Sequence, residues 1–218
     1  VSIAKTEIAQ QRTVRLIPTA HYKPPILRAL VDSDRELDAL AALEGLTSAR
    51  LNQREINPDF EDWAASCVEA AFAYRRKGGN RFNDEKTGAW YAAFEERTAL
   101  AEVAFHKTRE LGFIGRFDER TEYHALHASF IGHFHDIRGD TPPPECLEPD
   151  VAIGYPAGQA IARALIEQKS RGLIYPSVRN DGGTCLVAFQ EIVVQDVLPG
   201  ARWKITWAGS PDWAASAI

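Results

Sequence analysis

With 218 residues, 45% of them hydrophobic, the chain can bury a substantial core as one domain and is too apolar for global disorder. A formal net charge of −5 without a long basic run argues against a nucleic-acid binder that works by neutralising phosphates. No run of about 18 apolar residues offers a membrane span, and Cys67, Cys146 and Cys185 are too few and too scattered for a disulfide framework or a CxxC metal site.

Residues 1–31 read as irregular, broken by Pro18, Pro24 and Pro25. Ser33-Asp34-Arg35-Glu36 reads as a capping box that opens a helix with Leu37, Leu40, Leu43 and Leu46 on one side. Asn57-Pro58 starts a second helix, whose apolar face holds Phe60, Trp63, Ala64, Cys67, Ala71 and Phe72. Both helices either cover the core or form a partner surface. Composition changes at Arg75 to Asn80, which divides a helical N-terminal extension, 1–75, from a core, 76–218, within one globular unit. Gly88 to Phe94 predicts a buried strand, Glu96 to Leu111 a helix ending at Gly112, and Tyr123 to Ile137 a strand. Thr141 to Pro144 is a loop, and Tyr155 to Arg171 a helix ending at Gly172. Leu173 to Tyr175, Thr184 to Val197 and Arg202 to Trp207 predict strands, with a turn at Asn180 to Gly183. Trp203 and Trp207 share a strand face and read as core. The fold class is therefore α/β (α+β), without the GxGxxG turn of a doubly wound nucleotide-binding sheet.

Four polar residues stand in apolar surroundings: Arg81, Tyr91, Glu102 and Ser177. Glu102 lies in Ala99-Leu100-Ala101-Glu102-Val103-Ala104-Phe105, where a carboxylate is either a solvated helix edge or meets a polar partner. Taken singly, Tyr91 reads as core packing, Arg81 as a loop arginine and Ser177 as a turn former.

In order and spacing, however, Arg81-Phe82-Asn83, Trp90-Tyr91-Ala92, Ala99-Leu100-Ala101-Glu102, Gly172 to Arg179, Gly182-Gly183 and Cys185 to Phe189 form one pattern. This pattern resembles the RES-domain proteins, toxins of RES–Xre toxin–antitoxin systems. The resemblance implies an ADP-ribosyltransferase-like fold, with two small sheets packed around an NAD cleft and helices outside. It implies NAD as a consumed substrate, cleaved between nicotinamide and ribose. The ADP-ribose then passes to water, phosphate or a protein such as phosphoribosyl-pyrophosphate synthetase. It also implies an Xre-like antitoxin that blocks the cleft, with DNA contact left to that partner. On the resemblance, Glu102 stabilises the oxocarbenium-like ribose, Tyr91 stacks on nicotinamide, and Arg81 grips pyrophosphate or ribose oxygens. Ser177 and Asn83 complete the NAD-binding set.

No metal is expected. The spacing of His124, His127, His133 and His135 leaves open a metal-dependent hydrolase, because His133 and His135 fall on one face of a strand; a half-exposed polar strand is the alternative. A non-catalytic interaction module is a third possibility. The scattered cysteines and the absence of a signal-peptide pattern over Val1 to Gln11 predict a cytoplasmic location.

Overall fold

The computed structural model describes residues 3–21 and 63–218. Its strands are β1 (Lys5–Pro18), β2 (Trp90–Ala93), β3 (Asp118–Asp136), β4 (Gly172–Pro176), β5 (Thr184–Ala188), β6 (Gln195–Ala208) and β7 (Trp213–Ala217). Among the described residues three α-helices accompany them: α1 (Trp63–Ala73), α2 (Glu96–Ile114) and α3 (Val151–Glu167). The predicted leucine-rich helix over 33–46 and the Asn57-Pro58 helix start lie outside the described residues.

The strands join in the order β1-β2-β5-β4-β3-β6-β7, and β1 also pairs with β3, so five of them close on one another. Antiparallel β1 runs along β3 from Lys5↔His135 to Pro18↔Tyr123. On the opposite edge of β3, antiparallel β6 pairs as far as Ser129↔Gln195, and parallel β4 takes over at His135↔Leu173.

Period-two alternation gives the sheet two apolar faces. Tyr91, Ala93, Leu173, Tyr175, Cys185 and Val187 face the side covered by α2 and α3. Their neighbours Trp90, Ala92, Ile174, Leu186 and Ala188 face the side covered by α1, where Val68 and Phe72 pack. The predicted one-sided burial of Trp207 and Trp203 holds: both join the first face. Strand spacing thus decides that Tyr91 reaches the face covered by α2 and α3.

The structure corrects several boundaries. The stretch 1–31 is not irregular throughout, because residues 5–18 form β1. Pro18 closes this strand, where a missing N–H costs least. A bulge between Ile8 and Gln11, with Gln10 at φ 57°, shifts the alternation by one. Ile8 therefore packs on the α1 side while Val14 and Leu16 pack on the other. Helix α2 passes through Gly112 and stops at Gly115, whose φ of 73° suits glycine and whose N–H donates to the Leu111 carbonyl at 2.8 Å. Helix α3 starts before Tyr155, since the Asp150 side chain caps it by accepting from the Ala152 N–H at 2.9 Å. It ends at Glu167, with Lys169 turning into the left-handed region. The run Thr184 to Val197 is two strands separated by the 3₁₀ turn Glu191–Val193. Among the described residues no helix is long and apolar enough to cross a membrane.

Candidate functional site

The segment before β2 is held by its own polar side chains. The Tyr91 hydroxyl rises from β2, donates to Asn83 Oδ1 at 2.8 Å and accepts from the Phe82 N–H at 2.9 Å. Asn83 donates both amide hydrogens to the carbonyls of Asp84 and Thr87. Its hydrogen-bonding capacity is thus taken up in shaping the loop. Burial pushes the Tyr91 phenol well above its ordinary range, so it stays protonated and keeps its donor role.

This loop delivers Arg81, which is only 7% exposed. Its Nη1 donates to the carbonyls of Cys146 at 2.6 Å and Glu148 at 2.9 Å, and its guanidinium lies 5.4 Å from the centre of the Tyr155 ring. Helix α3 approaches so closely that a β-carbon at Gly154 or Gly158 would run into Arg81. These two glycines are therefore needed for the close approach rather than for an unusual backbone.

Glu102 projects from α2 toward the end of β4. Ser177, which follows that strand, donates its hydroxyl to Glu102 Oε1 at 2.7 Å. The same oxygen lies 3.7 Å from Cys185 Sγ. The Ser177 hydroxyl also accepts from the N–H groups of Arg179 and Asn180, both at 3.1 Å. One proton and two lone pairs are all a serine hydroxyl has, so Ser177 is saturated. Burial, with Glu102 adding to it, pushes the Cys185 thiol well up and keeps it a thiol. Both neighbours meet Oε1, and the described residues give Oε2 no hydrogen bond.

A cavity of about 240 Å³ brings these groups together. Arg81, Tyr91 and Glu102 line it, whereas Ser177 and Asn83 stand behind its wall and hold Glu102 and Tyr91. The structure adds residues that sequence reasoning missed. Arg15 of β1 borders the cavity, but its guanidinium donates to the Tyr91 carbonyl at 3.1 Å and lies 5.0 Å from the Trp90 ring centre, on the α1-covered side of the sheet. Burial lowers its pKa to about 10. Arg179 sits 3.3 Å from the Phe105 ring centre and donates to the Pro149 carbonyl at 2.9 Å. Burial, then the charge of Arg81, lowers its pKa too. Phe105, His106 and Tyr155 complete this wall. Two of these had a signal: Phe105 and His106 stand three and four residues after Glu102, on the same helix face. Arg179 stood inside the recognised Gly172 to Arg179 segment, but nothing local pointed to Arg15.

Electrostatically the cavity is lopsided. Two guanidiniums, of Arg81 and Arg179, share it with the single carboxylate of Glu102. Among the described residues neither has a salt-bridge partner. Such a site favours a ligand with more than one negative charge, and paired N–H groups suit phosphate oxygens.

His106 responds to the same surroundings. Burial, followed by Arg76, Arg109, Arg179 and Arg81, pushes its imidazole down to about 4 from an ordinary 6.5. The unfolded chain takes up this proton at a higher pH than the folded chain does. Stability from His106 is therefore present above pH 6.5 and lost as pH falls toward 4, by ~3 kcal/mol at most. Denaturant unfolding at both pH values checks this. The protein loses more stability on acidification than its His106→Gln variant, and equal losses would contradict the burial.

The histidines of β3 do not assemble a metal site. His135 is buried against Ser170 Oγ at 2.7 Å, while His133 is exposed. Among the described residues no group of three or more His, Cys, Asp or Glu is arranged to hold a metal ion.

The model of the RES domain family matches residues 49–208. A solved structure, the crystal structure of the M. tuberculosis MbcT-MbcA toxin-antitoxin complex, is 14% identical, with a TM-score of 0.45 over 90% of this chain and 87% of that chain. No curated protein matches the chain.

Proposed function

The chain belongs to the RES domain family, and from that premise we propose that it is a toxin that consumes NAD. The observation that carries this reading is the cavity itself, where one tethered carboxylate, Glu102, faces two guanidiniums, of Arg81 and Arg179, without salt-bridge partners. In the proposed reaction the bond between the nicotinamide nitrogen and ribose C1′ breaks. Its electron pair leaves with nicotinamide, and the ribose becomes oxocarbenium-like. Glu102 Oε2 stabilises that positive charge while Oε1 stays bonded to Ser177. Arg81 and Arg179 hold the pyrophosphate, and Tyr91 bounds the nicotinamide side. Asn83 supports NAD binding through the Tyr91 hydroxyl. The acceptor then attacks C1′, forms the new bond and loses its proton.

We further propose that the acceptor is a protein, with phosphoribosyl-pyrophosphate synthetase the family's candidate, and that growth is inhibited as a result. An Xre-like antitoxin that covers the cleft would neutralise the activity in the cytoplasm. Residues 76–218 would carry the catalytic groups, with β1 and α1 of the first 75 residues built into the sheet and its cover.

The test is NAD consumption by the purified chain, with nicotinamide quantified, beside a lysate supplied with labelled NAD. Nicotinamide release with a labelled protein band is the expected result. Release without a band would replace the protein acceptor with water or phosphate. No release from folded, antitoxin-free protein would overturn the reading.

A further inference from the structure

His106 takes no part in the reaction just described, yet it occupies a position in the cavity wall that its hydrogen bonding does not explain. It lies one helical turn after Glu102, so both side chains leave the same face of α2. Its ring meets the edge of Phe105 at 5.5 Å, on the wall where Arg179 stacks. Nδ1 is enclosed and has no hydrogen-bond partner among the described residues, and these residues offer Nε2 none either. An enclosed ring nitrogen without a partner is uncommon, and one explanation for a half-buried histidine of this kind in a cavity wall is a role toward a ligand. An enclosed N–H without an acceptor is rarer than an unused lone pair, which places the proton on Nε2.

We propose that His106 contacts the substrate directly, its Nε2–H donating to an oxygen of the sugar–phosphate segment of an ADP-ribosyl ligand. This rests on the reading of the cavity as an NAD site. The chemistry fits the place. The arginines of the wall supply charge for the phosphates, and an uncharged donor beside them adds direction without increasing the repulsion among cations. Glu102, an acceptor, and His106, a donor, would then address neighbouring oxygens of one ligand from successive turns of one helix. The imidazole is a poor base in these surroundings, so the role is binding and positioning rather than proton abstraction.

ADP-ribose is the probe. It is titrated into the full chain while the ring nitrogens of His106 are followed by NMR, and its affinity is compared with those of His106→Phe and His106→Gln. Expected are a shift of the His106 nitrogen signals on binding and a Kd raised roughly tenfold in His106→Phe, with partial recovery in His106→Gln, whose amide can donate. Wild-type binding with unmoved His106 signals, or a Kd within twofold in a folded His106→Phe protein, would overturn the proposal and leave the NAD reading standing. No binding of ADP-ribose by the wild type would remove both. Should His106→Phe fail to fold, the wild-type NMR shift decides.

Discussion

Replacing Glu102 by Gln lowers nicotinamide release from NAD at least about a hundredfold, because a group that stabilises transition-state charge is worth on the order of 3 kcal/mol or more. The substitution keeps the shape of the side chain and an oxygen that accepts from Ser177, whose bond to Glu102 is 2.7 Å long. What disappears is the negative charge beside the ribose. Affinity for ADP-ribose should therefore change little, and the protein should unfold at nearly the same temperature. Single-turnover assays with quantified nicotinamide, run beside a melting curve, separate these effects. Near-normal turnover in a folded Glu102→Gln protein would sink the assignment of Glu102 as the charge-stabilising group.

Gly158→Ala is expected to damage the site from behind. A β-carbon at Gly158 would meet the backbone carbonyl of Arg81, and backbone cannot swing aside as a side-chain tip can. Overpacking of this kind costs about 1–3 kcal/mol. Relief requires α3 or the Arg81 loop to move. Either movement disturbs the grip of the Cys146 and Glu148 carbonyls on the guanidinium. The KM for NAD should rise by roughly tenfold, and the melting temperature should fall. Gly112→Ala is the matched control, since the nearest atom to its added carbon is 3.9 Å away and Gly112 is helical. It should be neutral or slightly stabilising, by up to ~1 kcal/mol. Wild-type KM and stability in Gly158→Ala would show that the loop yields freely.

Residues whose role depends on local sequence were legible. Glu102 announced itself as a carboxylate among Ala99, Ala101, Ala104 and Phe105, and the structure explains it by a tether from another element. Tyr91 and Arg81 likewise stand in the cavity wall. Ser177 and Asn83 were also singled out, and the structure places them behind the wall, on Glu102 and Tyr91. Two of the misread boundaries share a cause: a proline or glycine taken as a stop. Pro18 ends β1 without preventing it, and Gly112 is passed within α2. Each residue weakens an element locally, and burial against the sheet outweighs that cost.

The order of polar residues from Arg81 to Ser177 and the alternation of apolar ones are properties of the chain alone. They suffice for the mixed α/β class and for the family, because both rest on spacing along one dimension. The charge balance of the cavity is a different kind of property. Arg179 joins Arg81 there because the turn after β4 brings it against the Phe105 ring of α2, 3.3 Å from the ring centre. His106 loses its ordinary basicity because burial and four arginines, drawn from separate segments, act on it together. Electrostatic interactions depend on distance through space, and desolvation depends on everything packed around a group. Neither has a period or a motif, so only the tertiary structure could decide them.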